Sequence, residues 1–337
     1  MKDLNLVKTN LLYTQRKDKT IDFDIDSNFK GTLSLNDLIV YKGDDDTKIY
    51  NRICDHAGGR LITSNDGKVT CTLHKWEFNP EVGTYNSNNV RKAELDYKKD
   101  KNSYKVNLTE RSIQLPDFKT DKEIEIKFLN HASLLVTTSD FKFATDPWLT
   151  GQAFSTGWWL KYKTPDNWQE ELNSCDFLYI SHTHPDHLHP ETLESVDRKM
   201  PILISDFDSQ SSENYLKSLG FKNLIKLKYQ ESLINQKKEI FFTVLKSGDF
   251  RDDSGLLFQY GNFSALFNVD SNYLNFFELP ETLTLVASSF AGGAGPYPVC
   301  FENLSEKQKS IGQLKTNNSL KVVRESLIAR TNPKYFI

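Results

Sequence analysis

Two cysteine–histidine pairs stand out among the residues whose types and spacing could carry chemistry. One residue separates Cys54 from His56, two residues separate Cys71 from His74, and fourteen residues lie between the pairs. Thiolate and imidazole groups are ligands that bind transition metals in proteins. In a reducing compartment, cysteines with such neighbours favour metal binding over a disulfide. The four residues therefore predict a metal centre carried on two loops.

Two kinds of centre fit these four ligands. They could hold one zinc ion, or a Rieske [2Fe–2S] cluster in which both thiolates bind one iron and both imidazoles the other. The order cysteine-then-histidine on each loop lets each loop reach both irons, whereas a zinc finger usually has its two cysteines close together. Gly58 and Gly59 follow the first pair and permit a tight turn around the cluster. The pattern favours the Rieske cluster, a one-electron carrier, and leaves zinc as the alternative.

A second set of ligands directly follows an apolar segment, residues 177–181, which predicts a buried strand. The spacing H-x-H-x-D-H occurs there at His182, His184, Asp186 and His187. This spacing after a strand is the signature of the metallo-β-lactamase fold. We expect His182 and His184 to bind one metal and the following Asp186–His187 pair to bind a second. Such ligands suit zinc, iron or manganese.

Further residues could complete this second site. Asp270 follows an apolar segment and could bridge two metals, and Asp249, in S-G-D-F, stands where another ligand is expected. A turn aspartate is an equal interpretation of Asp249. Asp146 could orient the histidine loop through a hydrogen bond or serve in a plain turn. His131 could face the pocket or lie in the core, and His189 is interpreted as a loop residue.

The overall composition limits the class of protein. A length of 337 residues predicts about two domains, and the net charge of -3 argues against a strongly basic nucleic-acid binder. No apolar run approaches the roughly 18 residues of a membrane helix. The first ten residues lack the apolar region of a signal peptide. We therefore expect a cytoplasmic protein with no nucleic-acid or membrane partner.

The pattern of elements predicts two domains. Short strand-like segments between Gly, Asn and Asp turns predict a small all-β domain over residues 1–118. Within it, residues 85–105 are polar and predict a loop and an edge strand rather than core. Over residues 119–337, strand-like and helix-like segments alternate, which predicts an α/β layout with much β structure.

The combination resembles the CMP-N-acetylneuraminate hydroxylase family, which joins a Rieske domain to a metallo-β-lactamase-like domain. Besides the two ligand motifs, the resemblance rests on T-D-P-W-L-T-G-Q-A-F-S-T-G-W-W-L at 145–160 and S-S-F-A-G-G-A-G-P-Y-P at 288–298. The implied fold class is α+β. It consists of an N-terminal all-β Rieske domain followed by a metallo-β-lactamase-like αββα sandwich domain.

The resemblance implies an oxidoreductase, an iron-dependent monooxygenase that uses O2 to hydroxylate the N-acetyl group of a CMP-sialic acid or a related polar metabolite. It implies a cluster on Cys54, His56, Cys71 and His74. It also implies one or two irons, with zinc as the alternative, at the second site. Electrons are expected from a donor such as a b-type cytochrome or ferredoxin with its reductase. The resemblance also allows an oligomer.

Two features depart from the family pattern. Asp249 stands where relatives have a histidine, and the chain stops after Tyr335 and Phe336, so the second domain is expected to be short at its C-terminus. Two alternatives therefore stay open: a metal-dependent hydrolase of the same fold, and a non-catalytic electron-transfer protein. Hydrolysis moves no electrons, so the complete cysteine–histidine set favours the monooxygenase over the hydrolase.

Overall fold

The computed structural model describes residues 4–15, 19–35, 37–55, 60–64, 66–71, 75–86, 90–108, 111–248, 251–271, 274–289, 302–311 and 327–337. The chain divides into two compact units. The unit that we name the N-terminal unit comprises Tyr13–Ile113 and Gly248–Arg251. The unit that we name the sandwich unit comprises Met1–Leu12, Gln114–Ser247 and Asp252–Ile337.

Strands dominate the described part of the chain. They are β1 (Val7–Asn10), β2 (Leu12–Gln15), β3 (Lys19–Asp24), β4 (Gly31–Leu35), β5 (Leu38–Lys42), β6 (Thr47–Asn51), β7 (Leu61–Thr63), β8 (Val69–Cys71), β9 (Glu77–Asn79), β10 (Thr84–Tyr85), β11 (Tyr97–Asp100), β12 (Ser103–Leu108), β13 (Arg111–Gln114), β14 (Ile124–Asn130), β15 (Ser133–Thr138), β16 (Lys142–Thr145), β17 (Gln152–Ala153), β18 (Trp158–Trp159), β19 (Phe177–Ile180), β20 (Ile202–Ser205), β21 (Leu224–Leu227), β22 (Glu231–Asn235), β23 (Ile240–Lys246), β24 (Ser254–Tyr260), β25 (Phe263–Val269), β26 (Leu285–Ser288) and β27 (Tyr335–Phe336). Helices with defined bounds are α1 (Trp168–Asn173), α2 (Pro190–Glu194), α3 (Ser211–Ser218) and α4 (Ala329–Thr331), with a 3-10 turn at Leu274–Phe277; residues 306–311 are helical too. Among the described residues, no helix has the length and apolar character needed to cross a membrane.

The N-terminal unit is built from small sheets, and the strand β5 of one of them contributes to two hydrophobic clusters. The sheet orders are β4-β5-β6, β10-β9-β8-β7, β11-β12-β3 and β13-β2. Successive side chains of a strand point to opposite faces, so Leu38 and Val40 of β5 enter one hydrophobic cluster. Ile39 between them enters a second cluster, which also contains Cys54 and Cys71. The central strand of this unit is thereby buried on both faces.

The strand β11 lies at the edge of its sheet, as predicted for residues 85–105, and its last three residues are exposed. The prediction is wrong where β12 begins at Ser103, because β12 pairs with β11 on one side and with β3 on the other and is therefore a central strand. Tyr104 and Val106 are buried in the hydrophobic cluster of this unit. Ser103, Lys105 and Asn107, which alternate with the buried residues along the strand, are exposed, and such polar residues make the segment look polar as a whole.

The N-terminal strand β1 belongs to the sandwich unit, whereas the prediction grouped it with residues 1–118. It pairs antiparallel with β22, with Val7 opposite Ile234 and Asn10 opposite Glu231. All four residues of β1 are exposed. A short exposed strand has no apolar pattern that would indicate its partner, because the pairing is made by backbone hydrogen bonds to a segment far along the chain.

The sandwich unit consists of two sheets packed on a common core. The sheet orders are β1-β22-β23-β24-β25-β26-β27 and β14-β15-β16-β19-β20-β21. Phe177 and Tyr179 of β19 pack with Phe242 and Phe258 of the other sheet in one hydrophobic cluster. Burying a side chain of this size contributes about 1.5–3 kcal/mol. This cluster forms the middle of the sandwich.

Helices cover the outer face of the six-stranded sheet. Leu178 and Ile180, the alternate residues of β19, pack with Leu172 of α1, Leu193 of α2 and Leu216 of α3. The strands β16, β19, β20 and β21 run parallel, and β19 and β20 are buried on both faces, as parallel strands under helices usually are. The carboxyl ends of β16 and β19 therefore meet at one edge, where ligand sites form in such sheets.

Candidate metal centres

The cysteines of the first ligand set lie together in the N-terminal unit. Cys54 and Cys71 are each 1% exposed and share one hydrophobic cluster. The histidines predicted to accompany them, His56 and His74, lie outside the described residues. Two buried cysteines in one cluster of apolar residues fit a centre that is shielded from water.

Local strand pairing explains how the two cysteines come together. Ile53, directly before Cys54, forms an isolated bridge with Arg60. Cys71 pairs with Leu61, the next residue after Arg60. Because the two partners are neighbours in the chain, the two cysteine-bearing segments flank the same short strand.

The second ligand set lies at strand ends in the sandwich unit. The loop 181–189 follows β19 directly, Asp146 follows β16, and Asp270 follows β25. His131 occupies the turn between β14 and β15. His131 and Asp146 have positive φ angles of 44° and 35°, a region that residues other than glycine rarely adopt. Such backbone persists where surrounding contacts hold it, often at functional sites.

Three of these residues form a group that we name the His131 group: His131, Asp186 and His187. Their candidate ligand atoms all lie within 4.8 Å of one another. The Nε2 atom of His131 is 3.0 Å from Oδ2 of Asp186, and Nε2 of His187 is 3.3 Å from the same oxygen. The sequence left open whether His131 faces the site or lies in the core, and in the structure it faces the site.

Three other residues form what we name the His182 group: His182, His184 and Asp270. Their candidate ligand atoms also lie within 4.8 Å of one another. The Nε2 atom of His182 is 2.8 Å from Nδ1 of His184. Oδ2 of Asp270 is 3.4 Å from Nε2 of His187, so this carboxylate lies between the two groups. The arrangement offers room for two adjacent metal ions.

A buried carboxylate behind the ligands orients them. Asp146 accepts hydrogen bonds of 2.7 Å from both the backbone nitrogen and the hydroxyl of Ser181. Its Oδ2 is 3.1 Å from Nδ1 of His187. Because the Ser181 hydroxyl donates to Asp146, it accepts from Nδ1 of His182, 2.9 Å away. Both histidines thereby direct Nε2 toward the site, as metal-binding histidines do when a second group binds Nδ1.

Asp253 is a residue of this site that sequence reasoning missed. It is fully buried, and its Oδ1 is 3.4 Å from Nδ1 of His182. The available signal was its position directly before the buried strand β24, which mirrors the position of Asp270 directly after β25. Asp249, which was predicted as a ligand, lies outside the described residues.

His189 is part of the local architecture and belongs to neither group. It is 2% exposed and is the N-cap of α2, where its ring accepts a hydrogen bond from the backbone nitrogen of Thr192. Pro190 at the first helical position favours the same helix start. This cap fixes the end of the loop 181–189, so both ends of the ligand loop are held by regular structure.

The site gathers more negative than positive charge. Burial opposes the charged form of His187, yet the carboxylates of Asp146, Asp186 and Asp270 raise its pKa well above the usual value. Burial and the neighbouring His187 lower the pKa of His182 to about 2. Burial opposes ionisation of Asp270 too, but its bond to His187 lowers its pKa to about 2. Buried carboxylates in this number require cations close by.

Two buried polar atoms of the site fit a metal ion. Among the described residues, Oδ1 of Asp186 has no hydrogen-bond partner, and Nε2 of His187 makes only ion-pair contacts, of 3.3 Å with Asp186 and 3.4 Å with Asp270, without a hydrogen bond of good geometry. An unpaired buried polar atom costs free energy, and here both atoms are of the kinds that bind metals. The donor set of imidazoles and carboxylates therefore fits the metal pair that the sequence motif implies.

A cavity opens beside the His131 group. Its volume is about 530 Å³, and His131, His187 and Asp270 form part of its wall. Most of the remaining wall is apolar, with Ile126, Phe128, Leu134, Phe267, Val269 and Ala287. A mostly apolar cavity with a few convergent polar groups is the usual form of a small-molecule site.

Aromatic residues of the β17–β18 hairpin lie next to both groups. The ring centre of Phe154 is 6.0 Å from that of His184, and the ring centre of Trp158 is 6.3 Å from that of His131. Trp159, next in the chain, is 68% exposed. Phe154, which is 39% exposed, and Trp159 thus place accessible aromatic rings beside the site.

The class of each unit follows from comparison with known protein families. Residues 17–98 match the Rieske [2Fe-2S] domain, and residues 125–253 match the beta-lactamase superfamily domain. The chain thus has an all-β Rieske domain followed by a metallo-β-lactamase-fold domain. The predicted fold class is confirmed.

The chain is similar to proteins named cytidine monophosphate-N-acetylneuraminic acid hydroxylase. The Mus musculus protein is 30% identical over 292 residues, covering 81% of this chain and 50% of the mouse protein. The Asterias rubens protein is 31% identical over 270 residues, covering 74% and 41%. The resemblance inferred from the motifs is confirmed. The chain spans about half the length of the curated relatives it matches.

Among solved structures, the chain is similar to CmlA, a diiron beta-hydroxylase from Streptomyces venezuelae. The TM-score is 0.43 at 20% identity, over 64% of this chain and 44% of CmlA. This likeness is too distant to bear on the chemistry of the site.

Proposed function

We propose that the protein is an iron-dependent monooxygenase in which a Rieske cluster delivers electrons to the metal centre of the sandwich unit. One observation carries the proposal: a Rieske domain occurs in the same chain as two adjacent groups of histidine and aspartate ligands. A one-electron carrier is of use to a centre that reduces oxygen. It is of no use to a hydrolase, since hydrolysis moves no electrons.

The electron balance explains the need for an external donor. Hydroxylation of a C–H bond by O2 consumes two electrons and two protons, and the second oxygen atom leaves as water. A [2Fe–2S] cluster passes one electron at a time, so it must be reduced twice for each product formed. We propose a b-type cytochrome or a ferredoxin with its reductase as the donor. We also propose a cytoplasmic location, where cysteine thiols stay reduced.

We propose that Cys54, His56, Cys71 and His74 hold the cluster and that the His131 and His182 groups hold the metal pair. When bound, the cluster supplies single electrons and the iron pair supplies the activation of O2. Zinc is the alternative metal for these ligands. The protein's own contribution is to hold the imidazoles of His182 and His187 by their Nδ1 atoms, through Ser181 and Asp146 respectively, so that their Nε2 atoms would be available to a metal.

We propose a nucleotide sugar as the substrate class, with CMP-N-acetylneuraminic acid as the first compound to test. Phe154, Trp158 and the exposed Trp159 offer flat surfaces on which a base can stack. Lys161, exposed just after this hairpin, offers a charge for phosphate. The apolar cavity beside His131 suits the methyl end of an N-acyl group.

The test is a turnover assay of the full chain after cluster and iron have been loaded. The protein is incubated with CMP-N-acetylneuraminic acid, O2 and reduced ferredoxin, and mass spectrometry detects a product with one added oxygen atom. Cys71→Ala and His182→Ala are each expected to abolish this product. Lys98→Met, an exposed position of β11, serves as the control and is expected to match the wild type.

The outcomes separate the candidate functions. Hydroxylated product that depends on both Cys71 and His182 supports the monooxygenase. Undiminished hydroxylation by Cys71→Ala contradicts the role of the cluster. Cleavage of a substrate without any electron donor indicates the hydrolase alternative, in which His182→Ala abolishes the reaction and Cys71→Ala leaves it intact.

A further inference from the structure

One lysine of the Rieske domain is buried next to the first cysteine. Only 1% of the Lys92 side chain is exposed, although lysine is almost never fully buried unless it is paired. Its Nζ donates a hydrogen bond to the carbonyl oxygen of Ile53 and another, of 3.1 Å, to Oδ2 of Asp55. Lys92 thus binds the residues on both sides of Cys54.

Tyr85 completes this arrangement. Its hydroxyl accepts a hydrogen bond from the backbone nitrogen of Asp55 at 3.1 Å and donates one of 2.9 Å to Oδ2 of Asp55. The backbone nitrogen of Lys92 donates to the carbonyl oxygen of Gly83 at 2.9 Å. These bonds fix the lysine in place, so its position is set by the fold and does not depend on a flexible surface contact.

The two charges of the pair differ in their exposure to water. The ammonium of Lys92 is buried, whereas 38% of the Asp55 side chain is exposed. Water and salt screen an exposed charge more than a buried one. The net field of the pair at Cys54 is therefore positive. Burial lowers the pKa of Lys92, and Asp55 and the sulfur of Cys54 oppose this shift without cancelling it.

We propose that Lys92 is a positioning residue that holds the first cluster loop and raises the reduction potential of the cluster. An added electron makes the cluster more negative, and nearby positive charge stabilises that reduced form. Net charge around an iron–sulfur cluster is one of the factors that set its potential. The inference rests on the proposed function, because it requires that the cluster is present. Asp55 carries the opposite charge and is expected to lower the reduction potential.

The test is a potentiometric titration of the cluster in the full chain, followed by electron paramagnetic resonance of the reduced form. Lys92→Met keeps the length of the side chain and removes its charge. Its midpoint potential is expected to fall by about 59 mV or more, which corresponds to a tenfold change for a one-electron couple. Asp55→Asn leaves the lysine charge without its partner and is expected to raise the potential. Lys68→Met, at a side chain that is 63% exposed, is the matched control and is expected to leave the potential unchanged.

The sign of the shifts separates an electrostatic role from a purely structural one. Shifts of opposite sign in Lys92→Met and Asp55→Asn support the inference, and an unchanged potential in Lys92→Met or shifts of the same sign overturn it. If Lys92→Met retains no cluster, Asp55→Asn provides the test. A raised reduction potential in Asp55→Asn supports the inference, and an unchanged potential overturns it. Iron and sulfide are counted before the titration. A wild-type chain that takes up no cluster overturns both the proposed function and this inference. A cluster whose reduction potential does not change in the variants overturns this inference alone.

Discussion

The two candidate metal centres differ in the charges that surround them. In the Rieske domain, Cys54 and Cys71 lie in an apolar cluster, and a buried ammonium, that of Lys92, lies beside the first of them. In the sandwich unit, the carboxylates of Asp146, Asp186, Asp253 and Asp270 lie among the histidines. One centre is set among apolar side chains near a positive charge, and the other is rich in negative charge.

The difference corresponds to two different tasks. Positive charge near a cluster favours the uptake of an electron. Negative charge around open imidazole nitrogens favours the uptake of metal cations, and the adjoining cavity of about 530 Å³ gives a substrate access to them. The comparison fits the proposed function, in which the first centre would carry electrons and the second would carry the reaction.

The largest expected effect is the independent loss of each centre. Cys71→Ala is expected to remove the cluster and keep the metals of the sandwich unit, because no described ligand of the second site comes from the N-terminal unit. His182→Ala is expected to lose metal from the sandwich unit and to keep the cluster. Metal analysis and the spectrum of the reduced cluster measure both. Loss of both centres in either variant would contradict the separation.

Metal removal tests the negative charge of the second centre. A chelator leaves the buried carboxylates without their cations, so the sandwich unit is expected to lose stability. A ligand present at 100 times its dissociation constant contributes about 2.7 kcal/mol, which corresponds to a fall in Tm of roughly 5–10 °C for a unit of this size. Calorimetry with and without chelator measures it, and Asp186→Asn is expected to show a smaller response. If the Tm of the wild type is the same with and without chelator, the prediction of a bound metal is contradicted.

A smaller effect is expected from the carboxylate that orients His187. Asp146→Asn removes a charged acceptor from both Nδ1 of His187 and Ser181. Loss of such an outer partner typically lowers metal affinity 10–100-fold. Competition with a coloured chelator measures the affinity, and Asp166→Asn, at a side chain that is 85% exposed, is the control. Equal affinities of Asp146→Asn and the wild type would show that this carboxylate does not position the ligand.

The smallest effect on metal affinity is expected at Asp253, which was not predicted from the sequence. Asp253 is 3.4 Å from Nδ1 of His182, and the hydroxyl of Ser181 already accepts from that nitrogen at 2.9 Å. Asp253→Asn is therefore expected to lower metal affinity by about tenfold or less, at the lower end of the range for outer partners. The same competition assay measures it. A larger loss of metal affinity in Asp253→Asn than in Asp146→Asn would show that Asp253, and not Asp146, is the more important of the two carboxylates for positioning the ligands.

The sequence predicted those parts of the site that are contiguous in the chain. His182, His184, Asp186 and His187 share one loop, and the apolar run before them marks a buried strand, so motif and strand were recognisable together. Asp270 was recognisable because it directly follows a strand. These are local signals, which need no knowledge of tertiary contacts.

The parts that the sequence left undecided or missed depend on contacts between distant segments. His131 was left undecided between the site and the core, because it is 55 residues from Asp186 in the chain and the packing of the sheets is needed to show that it faces the site. The same holds for the pairing of β1 with β22 and for Lys92, 37 residues from Asp55. A lone histidine, an exposed strand and a single lysine carry no pattern of their own from which such partners could be read.

The most direct test of the account is the metal content of each chain. The full protein is purified without oxygen or chelator, and its metals are counted by mass spectrometry. We predict more iron than the two atoms of one [2Fe–2S] cluster, with the excess lost in His182→Ala. Two irons accompanied by zinc, or two irons alone, would contradict the assignment of an iron-dependent oxygenase centre to the sandwich unit.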